Sequence, residues 1–210
     1  MHGKLTNLHY YVDIHDKDKA TKKINKKLKG TGYQLQKLKR GVAHYKNDEG
    51  HNVISIKGTN PTHYKDLLSD VNIGLGMTAK DRQFNKRQKD IKKIYKSIPD
   101  NEKIDITGHS LGSSIATSIL TNSESIRNRT NKAELFNTGY TKQFHKSIKN
   151  NIDKTTRRQL NDKITHHHIK GDVISEQLKA GAIGTVKEYE PDKNTSLLHR
   201  HSMDTVNEII

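Results

Sequence analysis

Apolar positions along this chain recur with two alternating periods, and the alternation predicts an order of elements. Gly41–Lys46 and His51–Lys57 are strand-like runs flanking Asn47, Asp48, Glu49 and Gly50, the signature of a hairpin. From Thr78 the spacing predicts a helix with Phe84, Ile91, Ile94, Tyr95 and Ile98 on one face, stopped by Pro99 and Asp100. Lys103–Thr107 alternates charged or polar residues with Ile, as a strand does, and Ser110–Leu120 is small and apolar, as a buried helix is. Ala133–Asn137 and Ile164–Lys170 read as further strands. Between them residues 141–162 are polar and helical, with Phe144, Ile148, Ile152 and Leu160 as anchors. A Gly/Ala-rich loop from Ala180 to Gly184 leads to Val186–Tyr189, and His201–Ile210 closes the chain as a short helix. Strands alternating with helices predict an α/β fold, a mostly parallel sheet flanked by helices.

The first forty residues stand apart. Ile14, Ala20, Ile24 and Leu28 are loosely helical in spacing and end at Gly30, Thr31 and Gly32. This segment holds eleven Lys and Arg against three Asp, about half of the chain's excess charge. It reads as a basic, partly helical arm over residues 1–40, packed on one edge of a domain spanning 41–210. A solvated face and an anion-binding face both fit it.

Composition narrows the chemistry. The 210 residues suit one domain; 30% are hydrophobic and 29% charged, so the core must be compact. A net charge of +15 favours anionic partners such as a membrane surface, although a Lys- and Asn-rich composition bias explains it equally well. Aromatic residues make up only 5%, too few for base stacking, which argues against nucleic acid. With no cysteine there is no disulfide framework and no thiolate metal site. The amino terminus lacks a signal-peptide run and no stretch approaches ~20 apolar residues, so the expected location is cytoplasmic or virion-associated.

Between the central strand and its helix sit Gly108, His109, Ser110, Leu111 and Gly112, a G-x-S-x-G pattern in strand–turn–helix context. Such a turn holds its Ser in a strained backbone state, and side chains at the two glycines would clash. A Ser hydroxyl needs a His to take its proton and a carboxylate to orient that His. Asp172 is the best-placed acid, directly after a strand; Asp162, Glu188, Glu190 and Asp192 are placed less well. His201, opening the last helix, is the favoured base, with His199 as the alternative. His166, His167 and His168 alternate faces on a strand, so no more than two converge, and no metal or other cofactor is expected.

These segments resemble the lipase class 3 family of α/β-hydrolases, the fungal-lipase-like group, over roughly residues 50 to 205. The resemblance is carried by Ile56–Thr59, Tyr64–Asp70, Gly108–Gly112, Phe136–Gly139, Gly171–Ser175 and His201–Met203. It implies a small α/β-hydrolase in which Ser110 is nucleophile, Asp172 acid and His201 base. The amides of Thr59 and Leu111 would form the oxyanion hole. It also implies a lid, for which Ile73, Gly74, Leu75, Gly76 and Met77 are candidates, although a plain loop whose apolar residues join the core fits as well. Lys57, Ser113 and Val173 depart from the family's usual residues without removing a catalytic group. The implied function is a serine carboxylic-ester hydrolase, lipase- or phospholipase-like, acting on a lipid or small ester. The alternative is an inactive relative docking to a membrane, nucleic acid or a capsid through its basic surface.

Overall fold

A computed structural model describes residues 1–8, 16–58, 82–139, 148, 150, 152–176 and 182–210. Its centre is a seven-stranded sheet whose strands lie side by side in chain order: β1 (Tyr33–Lys39), β2 (Val42–Asn47), β3 (Asn52–Ile56), β4 (Ile104–His109), β5 (Thr130–Phe136), β6 (Ile164–Ile169) and β7 (Thr185–Tyr189). The first three are antiparallel, because the turns between them are short enough for hairpins. From β3 to β7 every pair is parallel, so each strand must return to the same end before the next begins. Helix α3 (Arg82–Ser97) precedes β4, α4 (Leu111–Asn122) and α5 (Glu124–Arg129) join β4 to β5, and α6 (Lys154–Lys163) precedes β6. The expected α/β architecture is therefore the observed one: a mixed, mostly parallel sheet flanked by helices.

Alternation along the strands sorts side chains onto two faces. Val42, Ile54, Ile56, Ile104, Ile106, Ala133 and Leu135 join a large core with Ile91, Ile94 and Tyr95 of α3 and Ile115 and Ile119 of α4. On the other face Ala43, Tyr45 and Val53 pack with Leu5 of α1 (His2–Leu8) and with Ala20, Ile24 and Leu28 of α2 (Lys17–Leu28). Further along that face Phe136 and Ile169 meet Met203 and Val206 of α8 (Met203–Ile209), which follows the single turn α7 (Leu197–Arg200). Both faces of the sheet are thus covered, as a parallel sheet requires.

The basic segment at the start of the chain is built into this layer. Residues 33–39 form the edge strand β1, and α1 and α2 bury Leu5, Ala20, Ile24 and Leu28 beneath them. The lysines of α2 point away into solvent. Polar ties lock α1 down as well: the imidazole of His2 reaches the buried Asp105 carboxylate at 2.9 Å, and the hydroxyls of Thr6 and Thr107 meet at 2.5 Å. The strand period of β1 is masked by a bulge between Leu35 and Lys37, which puts the buried Leu38 out of phase with Tyr33 and Leu35. Helix α5 likewise has no counterpart in the expected elements, being a short polar helix with little apolar period. Among the described residues no helix is long and apolar enough to cross a membrane.

Candidate active site

Ser110 stands where β4 ends and α4 begins, at the carboxyl end of the parallel strands. Its backbone is left-handed in φ, with φ 53° and ψ −124°, a conformation costing about 1–3 kcal/mol for a residue with a side chain. Four contacts hold it there: the Ser110 amide donates to the Phe136 carbonyl at 3.0 Å, and the amides of Ser113, Gly139 and Ser114 donate to the Ser110 carbonyl at 3.0, 3.2 and 3.3 Å. The two glycines of the motif are required by space. A Cβ on Gly108 would lie 2.8 Å from the Gly112 carbonyl carbon, and one on Gly112 would lie 2.1 Å from the Ile56 carbonyl oxygen. Gly112 is therefore where the helix presses against β3.

The hydroxyl so presented meets His201 and Asp172. Nε2 of His201 lies 2.8 Å from Ser110 Oγ, and Nδ1 lies 2.8 Å from Asp172 Oδ2. All three side chains are buried. Asp172 follows β6 in a tight turn; its Oδ1 accepts the Ile174 amide at 3.1 Å, and its Oδ2 accepts the Ser175 hydroxyl as well as His201. Burial works against the Asp172 carboxylate. The charge and hydrogen bond of His201, with the Ser175 and Ile174 donors, outweigh that effect and hold its pKa below the ordinary carboxylate value. An ionised acid accepts from Nδ1–H, leaving Nε2 to accept the Ser110 proton.

Two residues brace the imidazole from behind. Nε2 of His109 donates to the His201 carbonyl at 2.6 Å, and the two rings lie 4.8 Å apart. Burial first, and the neighbouring His201 second, push the His109 pKa down to about 3, so this ring is neutral and carries its proton on Nε2. Asn137, at the end of β5 and also left-handed at φ 39°, donates from Nδ2 to the Arg200 carbonyl at 2.8 Å. Its Oδ1 accepts the Ile169 amide at 2.9 Å, and its own amide donates to His167. It thus ties β5 and β6 to the loop that carries His201. No local pattern announces this role; the only signal is an Asn at a strand end, a residue that tolerates left-handed φ.

The alternative base is placed elsewhere. His199 is exposed, and its Nδ1 pairs with Ser196 Oγ at 2.9 Å. The three consecutive histidines go to separate partners: His166 to Thr138 and the Ile183 carbonyl, His167 to Glu134 and Tyr189, His168 to Ser175. Leu111 is the first residue of α4 and is buried next to Ser110. Thr59 and the candidate lid, Ile73 to Met77, lie outside the described residues.

A doubly covered, mostly parallel sheet with a Ser at the β4–α4 turn and a His and an Asp within hydrogen-bond reach defines an α/β-hydrolase of the lipase-like class. More narrowly, the chain belongs to the phospholipase-like family described as the Tle-like phospholipase domain, whose sequence model matches residues 5–196 and stops short of His201. Solved structures share the fold. Lipase II from Rhizopus niveus superposes with a TM-score of 0.54 at 10% identity, covering 90% of this chain and 77% of that one. The Rhizomucor miehei lipase–propeptide complex, as a deletion mutant, gives 0.53 at 12% identity, covering 92% and 65%. The lipase from Rhizopus microsporus var. chinensis gives 0.50 at 14%, covering 90% and 71%. No curated protein sequence matches the chain.

Proposed function

We propose that the chain is a serine carboxylic-ester hydrolase working through an acyl-enzyme on Ser110, with glycerolipid or phospholipid esters as its substrate class. The observation that carries this reading is the run of contacts from Asp172 to His201 to Ser110, at 2.8 Å each, with the Ser held in a left-handed turn. His201 takes the hydroxyl proton as Ser110 Oγ bonds to the ester carbonyl carbon. The developing imidazolium is stabilised by the ionised Asp172. The oxyanion is received by the Leu111 amide at the start of α4, and the family resemblance assigns the second donor to the Thr59 amide. Collapse expels the alcohol, which leaves with the proton from His201. Water activated by the same imidazole then cleaves the acyl-enzyme, returning Ser110 and releasing the acid. No metal or cofactor enters this sequence.

The family supports the lipid-ester part of the reading, and the excess of lysine suits a substrate presented on an anionic surface. The test is hydrolysis of p-nitrophenyl esters and of phospholipid in neutral and anionic vesicles, by the parent protein and by Ser110→Ala. Turnover by the parent, lower by several orders of magnitude in the variant, is the expected result. A folded parent that cleaves none of these esters would leave the inactive, surface-docking alternative instead.

A further inference from the structure

Behind the acid lies a second buried imidazole that the reaction does not use. His168, in the penultimate position of β6, is fully buried, as is Ser175 in the turn that follows Asp172. Ser175 Oγ lies 2.5 Å from Asp172 Oδ2 and 2.7 Å from His168 Nδ1. A hydroxyl has a single proton, and an ionised carboxylate only accepts. Ser175 therefore donates to Asp172, and His168 must donate from Nδ1 to Ser175. On the far side of the ring, Nε2 faces the Glu176 carboxylate at 3.4 Å and the Glu188 carboxylate at 3.9 Å. Glu176 Oε1 also accepts the Gly171 amide at 2.9 Å, so the same carboxylate grips the turn that presents the acid.

Resting on the function proposed above, we infer that His168 is a positioning residue for the catalytic acid, acting through Ser175 to fix the Asp172 carboxylate toward His201. The polarity of the chain runs one way, from His168 Nδ1–H to Ser175 and from Ser175 O–H to Asp172 Oδ2, the oxygen that also receives His201. Without the Ser175 proton that oxygen loses one of its two side-chain donors, and the carboxylate is held by the Ile174 amide and His201 alone. The charged or titratable groups that bear on Asp172 electrostatically are His201 and His109, beside the hydrogen bonds from Ser175 and the Ile174 amide; those that face His168 are Glu176 and Glu188. Removing a donor that stabilises the negative charge raises the proton affinity of the Asp172–His201 pair.

The test combines kinetics with a proton spectrum on the full chain. Ser175→Ala removes only a hydroxyl; it is expected to lower kcat about 10-fold or more at unchanged KM, and to move the acid limb of kcat/KM to higher pH. His168→Leu should do the same, and the double variant should be no worse than either single one, since both cut one chain. His168→Asn, whose amide nitrogen takes the place of Nδ1–H, should recover to within about threefold of the parent. Ser175→Ala within twofold of the parent, multiplicative losses in the double variant, or His168→Asn folded yet as poor as Leu would each overturn the inference. Should His168→Leu not fold, Ser175→Ala decides alone. Should the parent cleave no ester, the function fails but the inference is still decided. The downfield proton resonance of His201 Nδ1–H must shift or broaden in Ser175→Ala, and an unchanged resonance overturns it.

Discussion

At Ser110 the backbone angle and the side-chain contacts argue together. A non-glycine residue at φ 53° is costly wherever it occurs, and here it points a hydroxyl at the imidazole of a residue 91 positions later. The expected consequence is strong dependence of activity on each member. Replacing His201 with Ala should abolish turnover to the level of Ser110→Ala. Asp172→Asn should retain the fold but lose about 10⁴ in kcat, because an amide favours the wrong imidazole tautomer. Steady-state kinetics on a soluble ester check both; a variant within tenfold of the parent would show that the residue has no such role. The turn that carries Ser110 and the carboxylate of Asp172 were legible in the sequence as candidates, because each sits in a local strand–turn context. The bracing by His109 was not, since its acceptor is a carbonyl 92 residues away and nothing within the motif indicates it.

Elements differ in how well a pattern betrays them. The hairpin of β2 and β3, the strand β4 and the helix α4 each keep one period from end to end, and all were readable from the spacing of apolar residues. Strand β1 was not, because its bulge changes the phase between Leu35 and Leu38. Residues 1–40, expected as a basic, partly helical arm packed on one edge, hold this strand together with α1 and α2, and lysine on the exposed face of α2 outnumbers the three residues it buries. The structure makes a measurable demand here. Ile24→Ala, deep in the second core, should cost about 2–5 kcal/mol, while Lys26→Ala on the exposed face should stay within about 0.5 kcal/mol. Chemical denaturation compares them, and equal stabilities would mean that α2 is not packed on the sheet. At the junction of elements, Gly112→Ala forces a Cβ onto the Ile56 carbonyl, 2.1 Å away. Its melting temperature should fall by several degrees and its ester turnover with it, since the contact that would yield is backbone on both sides.

Across the whole molecule, charge and burial give a pH signature. His109 and His166 are buried as neutral rings, with pKa values pushed down by burial from 6.5 to about 3 and about 4. Between those folded values and 6.5 the unfolded chain binds more protons than the folded one, so stability rises with pH across that window and falls as acid is added. Thermal melts from pH 7 down to about pH 4 should show a steady decline, made shallower in His166→Gln. A flat profile would mean that these rings titrate freely in the folded protein. The net charge of +15 belongs to this scale too, spread over the exposed lysines, α2 among them.

The central claim is that Ser110 is the nucleophile, and intact-protein mass spectrometry after incubation with a fluorophosphonate tests it most directly. One adduct per chain, mapped to the peptide holding Ser110 and absent from folded Ser110→Ala and His201→Ala, is the expected result. A folded parent that takes up no label, or a label that persists in Ser110→Ala, would contradict it.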